Sequence, residues 1–131
     1  MSNTIAAVPL FLYGIAIRHL SGIQKGIQQT HAVAEMGLEY ASGKGPSGQL
    51  YIEWAQQHKT NKLLEAHTCS FMRTLHDRIK SETDLPVGMF REEDLDNALT
   101  CITFIAPGYE DFPENLFWLK EILMNLKLAS N

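Results

Sequence analysis

The sequence predicts a mixed α/β fold of three layers, in which a β-sheet of about four strands carries helices on both faces. Residues 10–18 are apolar on both alternating faces, which is typical of a strand buried inside a sheet. Stretches with helical spacing of apolar residues alternate with strand-like stretches along the chain. Two apolar strands at 87–91 and 98–106 are separated by a short acidic connection, which predicts that they pair antiparallel.

The first half of the chain is predicted to contain two helices between two strands. Ser21 is suited to cap a helix that runs to about Ala41, because its hydroxyl can accept from a backbone N–H at the helix start. The glycine-rich and serine-containing segment 42–48 predicts a flexible loop. A short helix over 50–57 and a strand over 62–69 are predicted to follow.

The second half is predicted to contain a helix, the antiparallel strand pair and a final helix. Ser70 is expected to cap a helix that ends near Ser81, and Pro86 separates that helix from the next strand. The last helix is predicted over 113–128. Its inward-facing positions are expected to be Leu116, Leu119, Leu123 and Leu126.

The helix after the first strand carries two neighbouring stripes. The polar stripe consists of Gln24, Gln28, His31 and Glu35. The apolar stripe, which is predicted to pack on the sheet, consists of Ile23, Ile27, Thr30, Ala34 and Leu38. Amides, an imidazole and a carboxylate at the rim of a sheet can bind a ligand beside the free N–H groups of a helix start. A polar stripe also occurs on any amphipathic helix, so a purely structural role is the alternative.

Length and charge limit the class of protein. The chain has 131 residues, 45% of them hydrophobic, so one domain over 10–131 is expected after an N-terminal extension at 1–9. The formal charge is −4 and the pI is about 5.7, which argues against a nucleic-acid partner because such proteins present a basic face. The sequence predicts neither a signal peptide nor a membrane span, so a cytoplasmic protein is expected.

Cysteine and histidine usage predicts neither a disulfide nor a metal site. Cys69 and Cys101 both lie in strand-like surroundings, where a buried thiol is the ordinary interpretation. Apart from the loose pair of His67 and Cys69, the histidines lack the spacing of metal ligands. We therefore expect no metal and no cofactor.

Several short motifs occur in a particular order over residues 10–128. They are an Ile-Arg pair ending the first strand, Ile-Gln-Gln-Thr-His-Ala at 27–32, Trp54, the run 59–62 and Val-Gly-Met-Phe at 87–90. In this order they resemble the type 2 peptidyl-tRNA hydrolases of archaea and eukaryotes. The resemblance implies hydrolysis of the ester that joins a peptide to tRNA. The positions that match the family's site most closely are Lys25, Glu92 and Thr100.

The sequence departs from that family at the implied site. An aspartate of the family is replaced by Glu92 or Glu93, and the loop over 18–23 is shorter and has lost lysines. Lys25 is shifted by one position relative to His31, which rotates a side chain by about 100° around a helix. The turn between the third and fourth strands lacks the family's Arg and Thr. Its carboxylates are Glu93, Asp94 and Asp96. Fewer cations and more carboxylates disfavour binding of tRNA.

The chain is also similar to small uncharacterised phage proteins with this hydrolase-like fold. Because phages make compact sponges that hold immune signals, this similarity implies an anti-defence role, the sequestration of a small nucleotide-derived signal without turnover. Phosphate is expected at the helix start and the base on an aromatic ring, for which Tyr13 and Tyr51 are further candidates. The predicted ligand-binding residues are Arg18, Ser21, Gln24, Lys25, Gln28, His31, Trp54 and Thr100. The resemblance to the hydrolases implies a homodimer or a higher homo-oligomer.

Two other functions follow from the same residues. The first is an enzyme, either a peptidyl-tRNA hydrolase or a nucleotide hydrolase, with His31 as general base. Its catalytic residues are expected to be Lys25, His31, Glu92 and Thr100. The second is an interaction module that binds another protein through a helical stripe. That stripe consists of Gly26, Gln29, Val33, Met36 and Tyr40. We favour a core position for this stripe, under the second helix.

Overall fold

The computed structural model describes residues 8–129, so residues 1–7 of the predicted extension and residues 130 and 131 lie outside the described part. The described residues form a five-stranded mixed sheet and four α-helices. The strands are β1 (Leu10–Ile17), β2 (Thr60–Ala66), β3 (Val87–Glu92), β4 (Ala98–Pro107) and β5 (Lys127–Leu128). The helices are α1 (Gly22–Tyr40), α2 (Gly45–Glu53), α3 (Cys69–Glu82) and α4 (Phe117–Met124). The mixed α/β class is confirmed, with one strand more than predicted.

The strand order is β3-β4-β1-β2-β5. β1 and β2 are parallel, and β4 runs antiparallel to both β1 and β3, so β1, β2 and β3 all run in one direction. In the strand order, β2 lies on one side of β1 and β3 lies on the other side. The connection from β1 to β2 and the connection from β2 to β3 therefore cross the sheet in opposite directions. Since crossovers between parallel strands are right-handed, these two connections place α1 and α3 on opposite faces of the sheet. The antiparallel pairing of β3 with β4 is confirmed.

The core lies on both sides of β1, as its apolar sequence predicts. Tyr13 is fully buried on the face away from α1 and stacks on Phe104, with 5.4 Å between ring centroids. Its hydroxyl donates to the carbonyl of Pro107 at 2.7 Å, so the polar end of a buried ring is satisfied. On the same side of the sheet, the Arg78 guanidinium of α3 lies 3.6 Å from the ring centroid of Trp118 in α4. The described residues therefore form three layers.

The start of α1 agrees with the sequence prediction. The Ser21 side chain accepts from the backbone N–H of Gln24, and the Gln24 side chain accepts from the backbone N–H of Ser21. This reciprocal capping box satisfies two N–H groups at the beginning of the helix. The helix ends at Tyr40, one residue before the predicted end.

The prediction of which face of α1 packs on the sheet is wrong. The predicted inward stripe points outward: Ile23 is 78% exposed, Ile27 47% and Leu38 84%. The buried side chains are instead Lys25, Gln28, Ala32 and Met36. The physical reason is the small residues on the sheet beneath the helix. A Cβ on Gly88 would lie 2.8 Å from the Met36 Cβ, so the helix backbone approaches the strand closely on its Ala32 and Met36 side.

Several boundaries also differ from the predictions. α2 begins at Gly45 inside the predicted loop, because Pro46 fits the first turn of a helix. β2 spans 60–66 rather than 62–69, and Thr68 rather than Ser70 caps α3, its hydroxyl accepting from the Phe71 N–H. Cys69 therefore begins a helix and does not lie in a strand.

The end of the chain differs most. The predicted helix over 113–128 is a helix only at 117–124, and it is followed by β5, which pairs antiparallel with β2. The turns after Pro113 shift the beginning of the helix toward the C-terminus. After the helix, the chain must reverse its direction to reach the edge of the sheet. The leucines behave as predicted in part: Leu116, Leu119 and Leu123 are buried and Leu126 is half-buried. Among residues 8–129 no helix has the length and hydropathy needed to cross a membrane.

Candidate functional site

The candidate site lies where the three parallel strands end. β1, β2 and β3 bring their carboxyl ends to the same edge of the sheet, and α1 starts there directly after β1. Ligands of open α/β sheets bind beyond the carboxyl ends of the strands, where neighbouring connections leave on opposite faces. Here the connections after β1 and β2 do so. Glu65 near the end of β2 and Glu92 at the end of β3 lie on the face that α1 covers.

A β-bulge in β4 turns Thr100 toward this face. Phe90 pairs with Cys101 and Arg91 pairs with Leu99, so Thr100 is the extra residue between two register positions. A bulge places two consecutive side chains on one face and so redirects one of them. The Thr100 hydroxyl donates to the Gln28 Oε1 at 2.5 Å, and it lies 3.3 Å from the Phe90 carbonyl oxygen.

Gln28 connects Thr100 to a carboxylate. Its Nε2 donates to the Glu92 Oε1 at 3.0 Å, while its Oε1 accepts from Thr100. The Gln28 side chain is only 7% exposed, so both hydrogen bonds form in a site with little water. The three side chains are therefore held in one arrangement before any ligand arrives, with Glu92 at the half-buried outer end.

A pair of stacked rings borders these three side chains. The His31 ring stacks on the Phe90 ring, with 4.6 Å between centroids and 28° between planes. His31 is exposed and Phe90 is half-buried, so the pair lies at the rim of the sheet next to Glu92. We refer to His31 and Phe90 as the aromatic ledge, and to Gln28, Thr100 and Glu92 as the polar triad. Planar π-systems of this kind bind flat ligands by offset stacking.

Lys25 forms a separate ion pair. Its Nζ lies 2.9 Å from the Glu65 Oε2, and the lysine side chain is only 2% exposed. A buried ammonium needs such a partner because burial of a lone charge is very unfavourable. The pairing with β2 turns this cation toward Glu65, whereas the resemblance implies a lysine that acts together with Glu92 and Thr100.

The remaining predicted ligand residues have other positions. Ser21 and Gln24 bond to each other in the capping box. Arg18 is exposed beyond β1, and its backbone N–H donates to the Ala66 carbonyl at 2.9 Å. Trp54 is buried, and its indole N–H donates to the Thr60 carbonyl at the beginning of β2, the opposite end of that strand from Glu65.

Two of the predicted stacking residues, Tyr13 and Trp54, therefore belong to the core, and the half-buried Tyr51 packs against it. Trp54 and Tyr51 pack on each other with 6.2 Å between centroids, and Tyr13 is fully buried. Sequence reasoning missed Phe90 and Glu65 as members of the site region. A signal was present for Phe90, because Gly88, Phe90 and Glu92 alternate along β3 and share one face with the residues under α1.

Cys101 beside the triad has a packing role. It lies under Ala32 of α1 and is fully buried. Burial raises the pKa of its thiol to about 12, so the thiol stays protonated at neutral pH and is not a nucleophile. Both Cys69 and Cys101 are free. Within the described range 8–129, no three His, Cys, Asp or Glu side chains are grouped so that they could hold a metal ion.

Comparison of the chain with protein-family models and with curated proteins finds no match. The resemblance to type 2 peptidyl-tRNA hydrolases stays a prediction. Two of the three residues that it implies, Glu92 and Thr100, do contact the same glutamine, Gln28.

Proposed function

We propose that the protein binds a small nucleotide-derived molecule at the polar triad and the aromatic ledge and holds it without turnover. The observation that carries this proposal is the convergence of Gln28, Thr100 and Glu92 at the end of β3, beside the stacked rings of His31 and Phe90. The biological role that fits is sequestration of a nucleotide signal, as in an anti-defence protein of a phage acting in the host cytoplasm.

The roles of the side chains follow from their chemistry. A base stacks on the exposed His31 ring, which Phe90 supports from below. Glu92 is an acceptor at the mouth of the site, so it suits the amino and imino N–H groups along the edge of a purine. Gln28 and Thr100 hold that carboxylate in place. The base, rather than the phosphate, is then the part of the ligand that the triad recognises.

The electrostatics favour binding over hydrolysis of peptidyl-tRNA. Lys25 is paired with Glu65. The turn after Glu92 adds exposed carboxylates at Glu93, Asp94 and Asp96. A formal charge of −4 repels a polyanion such as tRNA, while a small ligand is held by short-range contacts that this field affects less.

Titration calorimetry tests the proposal. The wild-type protein is titrated with a panel of cyclic dinucleotides and ADP-ribose derivatives, and at least one is expected to bind. Glu92→Gln removes the acceptor charge and is expected to weaken that binding by about tenfold or more. Glu93→Gln makes the same charge change at an exposed neighbour and is the matched control. Absence of heat with every ligand, or equal weakening by both variants, contradicts the proposal.

The enzyme alternative is separated by the fate of the ligand. A bound nucleotide is released by heat denaturation and examined by chromatography, and an acylated tRNA is incubated with the native protein in parallel. We expect both to be recovered intact. Cleavage of either one, lost in Glu92→Gln, would replace sequestration by hydrolysis at the same triad.

A further inference from the structure

The Glu92 carboxylate has an acceptor oxygen that the protein leaves open. Its Oε1 accepts from the Gln28 Nε2 at 3.0 Å, whereas within residues 8–129 no group donates to its Oε2. The Glu92 backbone is extended and pairs with Ala98 of β4, so the strand fixes the direction of this side chain. A carboxylate oxygen can accept two hydrogen bonds and donates none. Glu92 therefore presents only acceptors at the mouth of the site.

The polar triad has one consistent pattern of donors and acceptors. Because the carboxylate only accepts, the Gln28 amide turns its NH2 group toward Glu92 and its Oε1 toward Thr100. The Thr100 hydroxyl donates its single proton to that Oε1 at 2.5 Å. Gln28 and Thr100 are both buried, so a ligand at the mouth does not reverse this pattern. The site thus requires hydrogen-bond donors from its ligand.

The spacing between α1 and β3 sets the size of the group that fits. Two contacts join these elements, Gln28 with Glu92 and His31 with Phe90. The two contacts are about 4.5 Å apart along the helix and about 6.6 Å apart along the strand. A flat group that stacks on His31 must therefore extend past this ring before its edge comes within about 2.9 Å of the Glu92 oxygens. A purine, with two fused rings, is long enough to make both contacts.

The hydrogen-bonding edge of guanine matches a pair of acceptors. Its ring N–H and its amino group are adjacent donors, and they can bond to the two oxygens of one carboxylate as the N–H groups of an arginine do. Adenine and cytosine each present an amino donor beside a ring nitrogen that accepts, so this nitrogen would face a carboxylate oxygen and be repelled. Uracil has its N–H donor between two carbonyl acceptors. Of the four bases, guanine alone satisfies both oxygens of Glu92.

We infer that Glu92 makes the site specific for guanine nucleotides, and that Gln28 is a positioning residue that holds the carboxylate for this contact. The inference rests on the proposed function, because it names the base that the polar triad and the aromatic ledge bind. The guanine ring stacks on His31, and its two donors bond to Glu92. Charge-assisted hydrogen bonds are stronger and shorter than neutral ones, so this pair of bonds dominates the choice of base.

Calorimetry with cyclic dinucleotides that differ only in their bases tests the specificity. The wild-type protein is titrated with cyclic di-GMP, with cyclic di-AMP, and with cyclic di-IMP, whose base keeps the ring N–H and lacks the amino group. We expect cyclic di-GMP to bind more tightly than cyclic di-AMP by about tenfold or more, with cyclic di-IMP between them.

The outcomes separate this inference from the proposed function. Cyclic di-AMP that binds as tightly as cyclic di-GMP overturns the guanine specificity and leaves nucleotide binding at the site intact. If none of the three binds, the specificity is overturned as well. Binding of the ADP-ribose derivatives then decides whether the proposed function stands.

Substitutions test which residues set the preference. Glu92→Gln presents a donor beside an acceptor, the pattern that pairs with adenine. The ratio of the affinity for cyclic di-GMP to that for cyclic di-AMP is therefore expected to fall by about tenfold or more. Glu93→Gln makes the same charge change at an exposed neighbour and is expected to keep the ratio. An unchanged ratio in Glu92→Gln overturns the inference.

Gln28→Met tests the positioning role, because it keeps the length of the side chain and removes both of its hydrogen bonds. We expect the same affinity ratio to fall. A partly unfolded variant binds both dinucleotides less well in equal proportion, so a loss of structure alone does not move the ratio. A ratio equal to that of the wild-type protein would show that Gln28 does not position Glu92.

Discussion

Gln28 is the residue on which the arrangement of the site depends. Its amide is buried and uses both its donor and its acceptor, one toward Glu92 and the other toward Thr100. When one partner of a buried amide is removed, the amide loses a hydrogen bond. The polar atom that made this bond then has neither a protein partner nor water. Each neighbour of Gln28 can therefore be tested by a substitution that removes one bond and changes little else.

Thr100→Val removes the hydroxyl and keeps the shape of the side chain. The Gln28 Oε1 then loses its donor in a buried site, and we expect the free energy of unfolding to fall by about 1–3 kcal/mol. Urea unfolding followed by circular dichroism measures this. Thr100→Ser retains the hydroxyl and is expected to lose less. Equal stability of Thr100→Val and the wild-type protein would show that the 2.5 Å contact contributes nothing.

Alkaline pH is expected to destabilise the protein through two buried acids. Burial raises the pKa of the Cys101 thiol from 9.0 to about 12, and burial together with the neighbouring Tyr109 raises the pKa of Tyr13 above its ordinary 10.0. At a pH between the ordinary and the raised pKa of such a group, the group has lost its proton in the unfolded chain and keeps it in the folded chain. The free energy of unfolding therefore falls as pH rises above 9, by up to about 1.4 kcal/mol per pH unit for each group.

Urea unfolding at a series of pH values measures this slope. The contribution of each acid is present in full below its ordinary pKa and is lost as pH approaches the raised one. Cys101→Ala and Tyr13→Phe each remove one titrating group, so each is expected to flatten the alkaline slope. If the slope is unchanged in both variants, other groups cause the loss of stability at alkaline pH.

At the scale of elements, the close packing of α1 on the sheet depends on glycine. A Cβ on Gly88 would lie 2.9 Å from the Ala32 carbonyl oxygen and 2.8 Å from the Met36 Cβ, both fixed by the helix. A Cβ on Gly14 would instead meet the end of the Gln29 side chain, which can rotate away. We expect Gly88→Ala to destabilise the protein by about 1–3 kcal/mol and Gly14→Ala to cost less. Thermal melting compares the two, and a larger loss for Gly14→Ala would contradict this packing.

The elements also show what a sequence can predict. The Ser21 cap of α1 and the apolar strand β1 are local patterns, and both predictions are confirmed because nearby residues determine them, whereas the reciprocal bond from Gln24 was not predicted. The packed face of α1 was wrong, because it depends on the small residues that distant strands place beneath the helix. The bulge at Thr100 and the two-residue β5 depend on register between strands, which carries no local signal.

For the whole molecule, topology explains which predicted site residues meet. Three parallel strands end at one edge, so Glu92 at the end of β3 reaches Gln28 of α1, 64 positions away in sequence. The resemblance implies Glu92 and Thr100 as site residues, but the contact of Thr100 with Gln28 depends on the bulge in β4, which the sequence does not predict. Trp54 could not be excluded from the site by its sequence, since its position depends on the π-helix Trp54–His58 after α2, where its indole N–H donates to the Thr60 carbonyl.

We propose that the polar triad and the aromatic ledge together form the ligand site. Backbone amide shifts in a nuclear magnetic resonance titration with the nucleotide panel test this claim most directly. We expect the shifts to change at His31, Phe90 and Glu92 and to stay constant at Tyr51 and Trp54. Changes confined to the groove between α3 and α4, which Phe71 and Trp118 line, or no change with any nucleotide, would contradict the account.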